Sequence, residues 1–256
     1  MTVDARLTLG EAAAELGVHY QTAYRWVRQG ALRAVKVSGV YEVDRSAVSD
    51  LAARRAAPSP PPVTRRVRSW DPFVERLWVA LRAGEETRVR DLFDDLLSGG
   101  VGLADLCDHV LAPALTLVGD AWHRGEVSIA LEHRASAICE RMLGRWSPTP
   151  PGRPRGVAVV CSPPGDEHAL PGEMATAVLR ERRWKVHHLG VGVPSPAVRE
   201  LVDAESAELV VLSCTWPAAF PEADALAAQL EAPRRSILLG RPGLTTARLV
   251  ELTDRI

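Results

Sequence analysis

No Walker A segment occurs in this 256-residue sequence, and no G-x-G-x-x-G follows its first α/β strand. A nucleoside triphosphate or a dinucleotide therefore lacks the glycine-rich cradle it would need. No stretch reaches the ~18 consecutive apolar residues of a membrane helix. The N-terminus also has no apolar signal region, so the expectation is a cytoplasmic chain without a membrane partner. Cysteine is scarce: Cys107, Cys139, Cys161 and Cys214 stand apart, with no C-x-x-C pair. That argues against a disulfide framework or a zinc site, and predicts reduced, buried thiols. No nucleophile–base pair or carboxylate pair stands out either, so an enzyme is not expected. His187 and His188, which close a strand, read as solvent-facing.

What is present suits a soluble protein with a sizeable core, 46% hydrophobic and 25% charged. The length predicts two or three compact units. Charge is distributed unevenly. Residues 1–70 carry eleven Arg or Lys against six Asp or Glu, a balance of +5, and the remainder has a balance of −6. A basic head on an acidic body points to a polyanionic partner for the head alone.

In the head, residues 1–55, Thr8 and Glu11 have the spacing of a capping box. Ala12, Ala13, Leu16 and Val18 then predict a short helix stopped by Gly17. A second helix is expected at about 19–29, ended by Gly30. It leaves Tyr20, Gln21, Thr22, Arg25 and Arg28 polar, while Ala23, Trp26 and Val27 pack inward. Forked and flat polar side chains near a helix N-terminus suit base edges and phosphates in a major groove. Residues 32–37 and 40–43 flank Ser38-Gly39 as a hairpin, a wing with Arg33 and Lys36 available for phosphate. Asp44 caps a third helix ending near Arg55. This stretch resembles the winged helix-turn-helix of the MerR and excisionase families, which implies a double-stranded DNA operator as partner.

Residues 56–70 are a Pro- and Arg-rich linker, best read as an extended spacer. Residues 71–147 then show helical periodicity. Phe73, Leu77, Val79 and Leu81 mark one helix, and Val89, Leu92, Phe93, Leu96 and Leu97 a second. A third is expected over 103–124 with a kink at Pro113, and a fourth over 128–146. Together they predict a four-helix bundle. Where the last two helices meet, Trp122-His123 precedes Gly125, and Glu132-His133 follows. An indole, two imidazoles and a carboxylate could therefore face one pocket.

Residues 155–256 alternate strand and helix, the pattern of a doubly wound parallel sheet of Rossmann-like form. Strands are expected at 156–161, 185–189, 208–213 and 236–239, with helices at about 172–183, 195–205, 221–231 and 245–254. The fold class is thus multidomain, α followed by α/β. Asp166 and His168 fall on the loop after the first strand, where open sheets meet their ligands. An Asp beside a His can fix the ring tautomer and make the other nitrogen a better metal ligand.

A bundle carrying Trp-His and Glu-His, followed by a sheet domain whose first loop carries D-x-H, resembles the cobalamin-binding modules. With the MerR-type head in front, the whole chain resembles the CarH/LitR-type B12-dependent, light-responsive transcription regulators. That resemblance implies adenosylcobalamin bound between bundle and sheet. His168 would be the lower cobalt ligand and Asp166 its partner. Trp122 would cover the adenosyl face, Glu132 and His133 would close that pocket, and His123 would be a further upper ligand after photolysis. Ser213 and Thr215 would line the nucleotide tail, with Gly240 in the glycine pair. It also implies a repressor whose oligomeric state, dimer or tetramer, and whose DNA binding respond to light.

Three positions depart from the family pattern. Pro171 stands where D/E-x-H-x-x-G has its glycine, with Gly172 one place late. Arg241 replaces the second glycine of a pair and is expected to crowd the tail. No apolar run before Ile256 supplies a fifth strand. Two alternatives follow: a regulator with a diverged pocket for another tetrapyrrole or no cofactor, and a corrinoid protein of a methyltransferase system.

Overall fold

The computed structural model describes residues 6–28, 32–37, 39–56, 69–147, 152–254 and 256, without the side chains of Arg25, Arg28 and residues 53–56. Most of the linker expected at 56–70 lies outside the described residues, Arg65, Arg66 and Arg68 included. The chain divides into two compact units, residues 1–63 and 64–256.

The first unit runs β1 (Arg6–Thr8), α1 (Leu9–Glu15), α2 (Tyr20–Arg28), β2 (Ala34–Val37), β3 (Val40–Asp44) and α3 (Arg45–Ala56). Thr8 Oγ1 accepts from the Glu11 N–H, and Glu11 accepts from the Thr8 N–H at 2.8 Å, so the capping box forms. Gly17 takes φ +65° in the turn between the helices. The wing hairpin is joined by a strand that the sequence pattern did not reveal. β1 pairs antiparallel with β3, and three residues are too few to show a period. Leu9, Ala12, Ala23, Leu32, Val43 and Val48 form the buried centre.

The second unit opens with a helical bundle. α4 (Asp71–Ala83) and α5 (Glu86–Ser98) are followed by α6 (Leu103–Leu106), a π turn at Cys107–Leu111, α7 (Ala112–His123) and α8 (Ile129–Trp146). Pro113 has no N–H for the carbonyl one turn back, and its ring would crowd that carbonyl. The preceding turn widens to π geometry there, in place of the simple kink expected. All four cysteines are buried free thiols, and burial pushes those of Cys139 and Cys161 up to about 12.

The α/β part runs β4 (Val157–Cys161), α9 (Leu170–Glu181), β5 (Lys185–Gly190), α10 (Ser195–Ala204), β6 (Leu209–Ser213), α11 (Phe220–Leu230), β7 (Ser236–Gly240) and α12 (Thr246–Thr253). Its strands are parallel in the order β5-β4-β6-β7. Alternate residues serve opposite faces. Ala158, Val160, Leu209 and Val211 pack with Leu179 of α9 and Leu249 of α12. Val159, Cys161, Val210 and Leu212 pack with Val198 of α10 and Leu226 of α11. The sheet is therefore doubly wound.

Bundle and sheet share a core, because Met174, Ala177 and Val178 of α9 are buried among bundle residues. A polar contact reinforces this join. Asp108, in the π turn, accepts from the backbone N–H groups of Thr246 and Ala247 at 2.7 and 2.8 Å and from the Thr246 hydroxyl at 2.9 Å. The bundle thereby supplies the carboxylate at the N-terminus of α12.

Candidate functional site

The loop leaving β4 turns through Gly165 at φ +90° and carries Asp166 into the protein, where 1% of it is exposed. Asp166 Oδ1 accepts from the His168 N–H at 2.9 Å and lies 2.7 Å from His168 Nδ1. Oδ2 accepts from the backbone N–H groups of Thr215 and Trp216 at 2.5 and 2.8 Å. Burial works to raise this carboxyl. The donors from His168, Trp216 and Thr215 outweigh it and hold the group below the usual carboxylate range. One ionised side chain thus ties the ends of β4 and β6 together and fixes a ring tautomer. The carboxylate can only accept, so Nδ1 carries the proton. Nε2 of the ring, whose side chain is 58% exposed, is left with a lone pair.

Trp216 escaped the sequence reading. Its indole is 53% exposed and lies 6.4 Å from the His168 ring, centroid to centroid. The signal available was a tryptophan next to the Ser213–Thr215 loop. Gly240 pairs with Ser213, and a Cβ on Gly240 would stand 3.3 Å from the Ser213 Cα. A larger residue there would push these two strand ends apart by a few tenths of an ångström.

Two of the three family departures are accommodated locally. Pro171 occupies the first turn of α9, where a backbone N–H has no helical partner to lose. The helix therefore starts at Leu170, two residues earlier than expected. Arg241, expected to crowd the tail, is engaged elsewhere. It pairs with Asp224 and lies over the Phe220 ring at 4.0 Å, held against α11. His188 is a further correction to the solvent-facing reading. Its side chain is 13% exposed, with Nδ1 3.2 Å from Glu173. Residues 186 and 188 share the face that α9 covers, which no count of polar residues could show. His187 lies 3.0 Å from Glu205 and is about one-quarter exposed, at 26%.

On the bundle, Trp122 and His123 touch edge to face at 4.8 Å, and Trp122 is 41% exposed. Glu132 lies 2.6 Å from His133 Nδ1 and accepts from the Ser136 hydroxyl. Gly125 makes the turn at φ +72°. The structure brings these residues together as two pairs, and no hydrogen bond or ring contact among the described residues joins either pair to His168.

In the head, Tyr20, Gln21, Arg33 and Lys36 are exposed and Thr22 is half-buried. His19 Nδ1 accepts from the Gln21 N–H at the start of α2. Tyr20 stacks on Tyr24, which meets Tyr41, and Lys36 lies over the Tyr41 ring. The wing is thereby pinned to α2. The side chains of Arg25 and Arg28 lie outside the described residues.

A single imidazole with a fixed tautomer can offer its free Nε2 to a ligand that needs one nitrogen donor. Residues 6–56 match a helix-turn-helix domain, and residues 74–145 and 156–249 each match a B12 binding domain. This is a helix-turn-helix chain with a helical and a Rossmann-like B12-binding domain. It is similar to the HTH-type transcriptional repressor CarH of Myxococcus xanthus, at 32% identity over 140 residues. The match covers 54% of this chain and 46% of the relative, so the chain spans about half the length of that curated protein. In fold, the chain resembles the monomethylamine corrinoid protein of Methanosarcina barkeri. The TM-score is 0.53 at 18% identity, over 71% of this chain and 89% of that one.

Proposed function

We propose that this chain is a cytoplasmic, CarH-type B12-binding transcription repressor that uses adenosylcobalamin to sense light. The observation that carries the reading is the Asp166–His168 pair at the carboxyl edge of the sheet, with Nε2 left for a metal. Bound adenosylcobalamin would supply a cobalt–carbon bond that light can break. His168 would hold the cobalt from below, and Asp166 would fix that ring. Ser213, Thr215 and Gly240 would line the nucleotide tail. Trp122, Glu132 and His133 would form the upper wall, with His123 as a second imidazole beside them. Tyr20, Gln21, Thr22, Arg25, Arg28, Arg33 and Lys36 would meet the operator. Self-association, as dimer or tetramer, would link the light signal to DNA binding.

Absorbance tests this directly. Protein mixed in darkness with adenosylcobalamin and then gel-filtered is expected to retain a corrin spectrum that changes irreversibly under green light. His168→Ala is expected to lose the His-ligated spectrum, and illumination to change both elution volume and operator affinity. Retained corrin with unchanged elution and affinity would leave a B12-binding protein that is no photosensor.

A further inference from the structure

The two outer strands of the parallel sheet, β5 and β7, end it in different ways. β5 carries Lys185, paired with Glu205, at its start, and a bulge at Leu189 where the register skips from His188 to Gly190. Charge and bulges of this kind stop a strand edge from templating another strand. β7, Ser-Ile-Leu-Leu-Gly, has no charge, no proline and no register shift. The arginines on either side of it are turned away. Arg235 donates to the Leu230 and Ala207 carbonyls and pairs with Asp203 of α10, while Arg241 pairs with Asp224 of α11. β6 is buried throughout, whereas every residue of β7 is half-exposed. Among the described residues no strand pairs with its outer side.

The outward backbone groups of β7 are self-complementary. The Ser236 N–H donates to the Glu208 carbonyl, and the Gly240 carbonyl accepts from the Cys214 N–H, so residues 236, 238 and 240 bond towards β6. Ile237 and Leu239 therefore present their N–H and C=O groups outwards. The Leu239 carbonyl accepts from the Arg241 N–H at 3.1 Å and keeps a second lone pair. A second β7, laid antiparallel about a two-fold axis at Leu238, sets each Ile237 opposite a Leu239. Each such pair can exchange both N–H···O=C bonds, and the sheet of one copy runs on into that of the next.

We infer that β7 is a self-association surface whose occupant is the β7 of a second copy of this chain. This gives a surface to the self-association proposed above, and it uses backbone groups alone, so it needs no cofactor. A five-residue strand pair buries less than the ~1,200 Å² of a stable interface. The pairing is therefore reversible, with a dissociation constant on the order of tens of micromolar.

The test is sedimentation of the ligand-free full chain from about 1 to about 200 μM, with hydrogen exchange at the β7 amides at both ends of that range. Wild type is expected to pass from monomer to dimer, and exchange at the Ile237 and Leu239 amides to slow roughly tenfold as it does. Ile237→Pro removes an outward N–H that the chain itself does not use, so this variant should fold and stay monomeric. The exchange measurement on wild type keeps the test decisive if that variant unfolds. A dimer that persists in Ile237→Pro, or one that forms without slowing those amides, overturns the inference. So does a wild-type monomer at every concentration. The same run with adenosylcobalamin in darkness then decides separately whether the self-association reading stands.

Discussion

Asp166 is the residue on which the site depends. Its carboxylate is buried and accepts from three backbone N–H groups and one ring, so alanine would leave the Thr215 and Trp216 donors unsatisfied. Loss of such charge-assisted bonds costs about 3 kcal/mol, measurable by urea unfolding. The pH dependence follows from the direction of its shift. The folded carboxyl titrates below its ordinary value, so its contribution is complete above pH ~4 and is lost as pH falls through the lower folded value. The stability gap between wild type and Asp166→Asn should therefore be constant from neutral pH down to that point and shrink below it. A gap independent of pH would remove Asp166 from this role. The D-x-H spacing made this pair legible in the sequence. Its anchoring to Thr215 and Trp216, 49 and 50 residues away, was not, because only the parallel order of β4 and β6 brings them together.

At the scale of elements, the join between bundle and sheet is the feature to test. The π turn carries Asp108 to the N-terminus of α12, satisfying two backbone donors that the helix itself cannot. Asp108→Ala is expected to cost about 1 kcal/mol, as loss of an N-cap does, and to speed hydrogen exchange at Thr246 and Ala247. Unchanged exchange at those two amides would show that the join rests on apolar packing alone. Pro113 signalled an irregularity in the third bundle helix.

For the whole molecule, the charge asymmetry makes a salt-dependence prediction. If Lys36 meets a phosphate, Lys36→Ala should weaken operator binding at every sequence alike and lower the salt slope by about 0.9. An unchanged slope would place Lys36 on the wing only as the cation over Tyr41, 5.7 Å from its ring centre. In sequence, the Pro- and Arg-rich segment lies between the head and the bundle, and the two units have separate cores.

Local and periodic information determined the elements. The capping box, the glycine turns, the helical spacing of the bundle and the alternation of strand and helix are all properties of neighbouring residues. They sufficed for the order of the parts and for the D-x-H loop. Tertiary structure decided what depends on residues far apart in the chain. It turned Arg241 onto α11, placed His188 under α9, excused Pro171 by making it part of a first helical turn, and added β1 to the wing. Each of these is settled by which element covers which face, and burial and hydrogen-bond satisfaction across that contact are energies no local pattern contains.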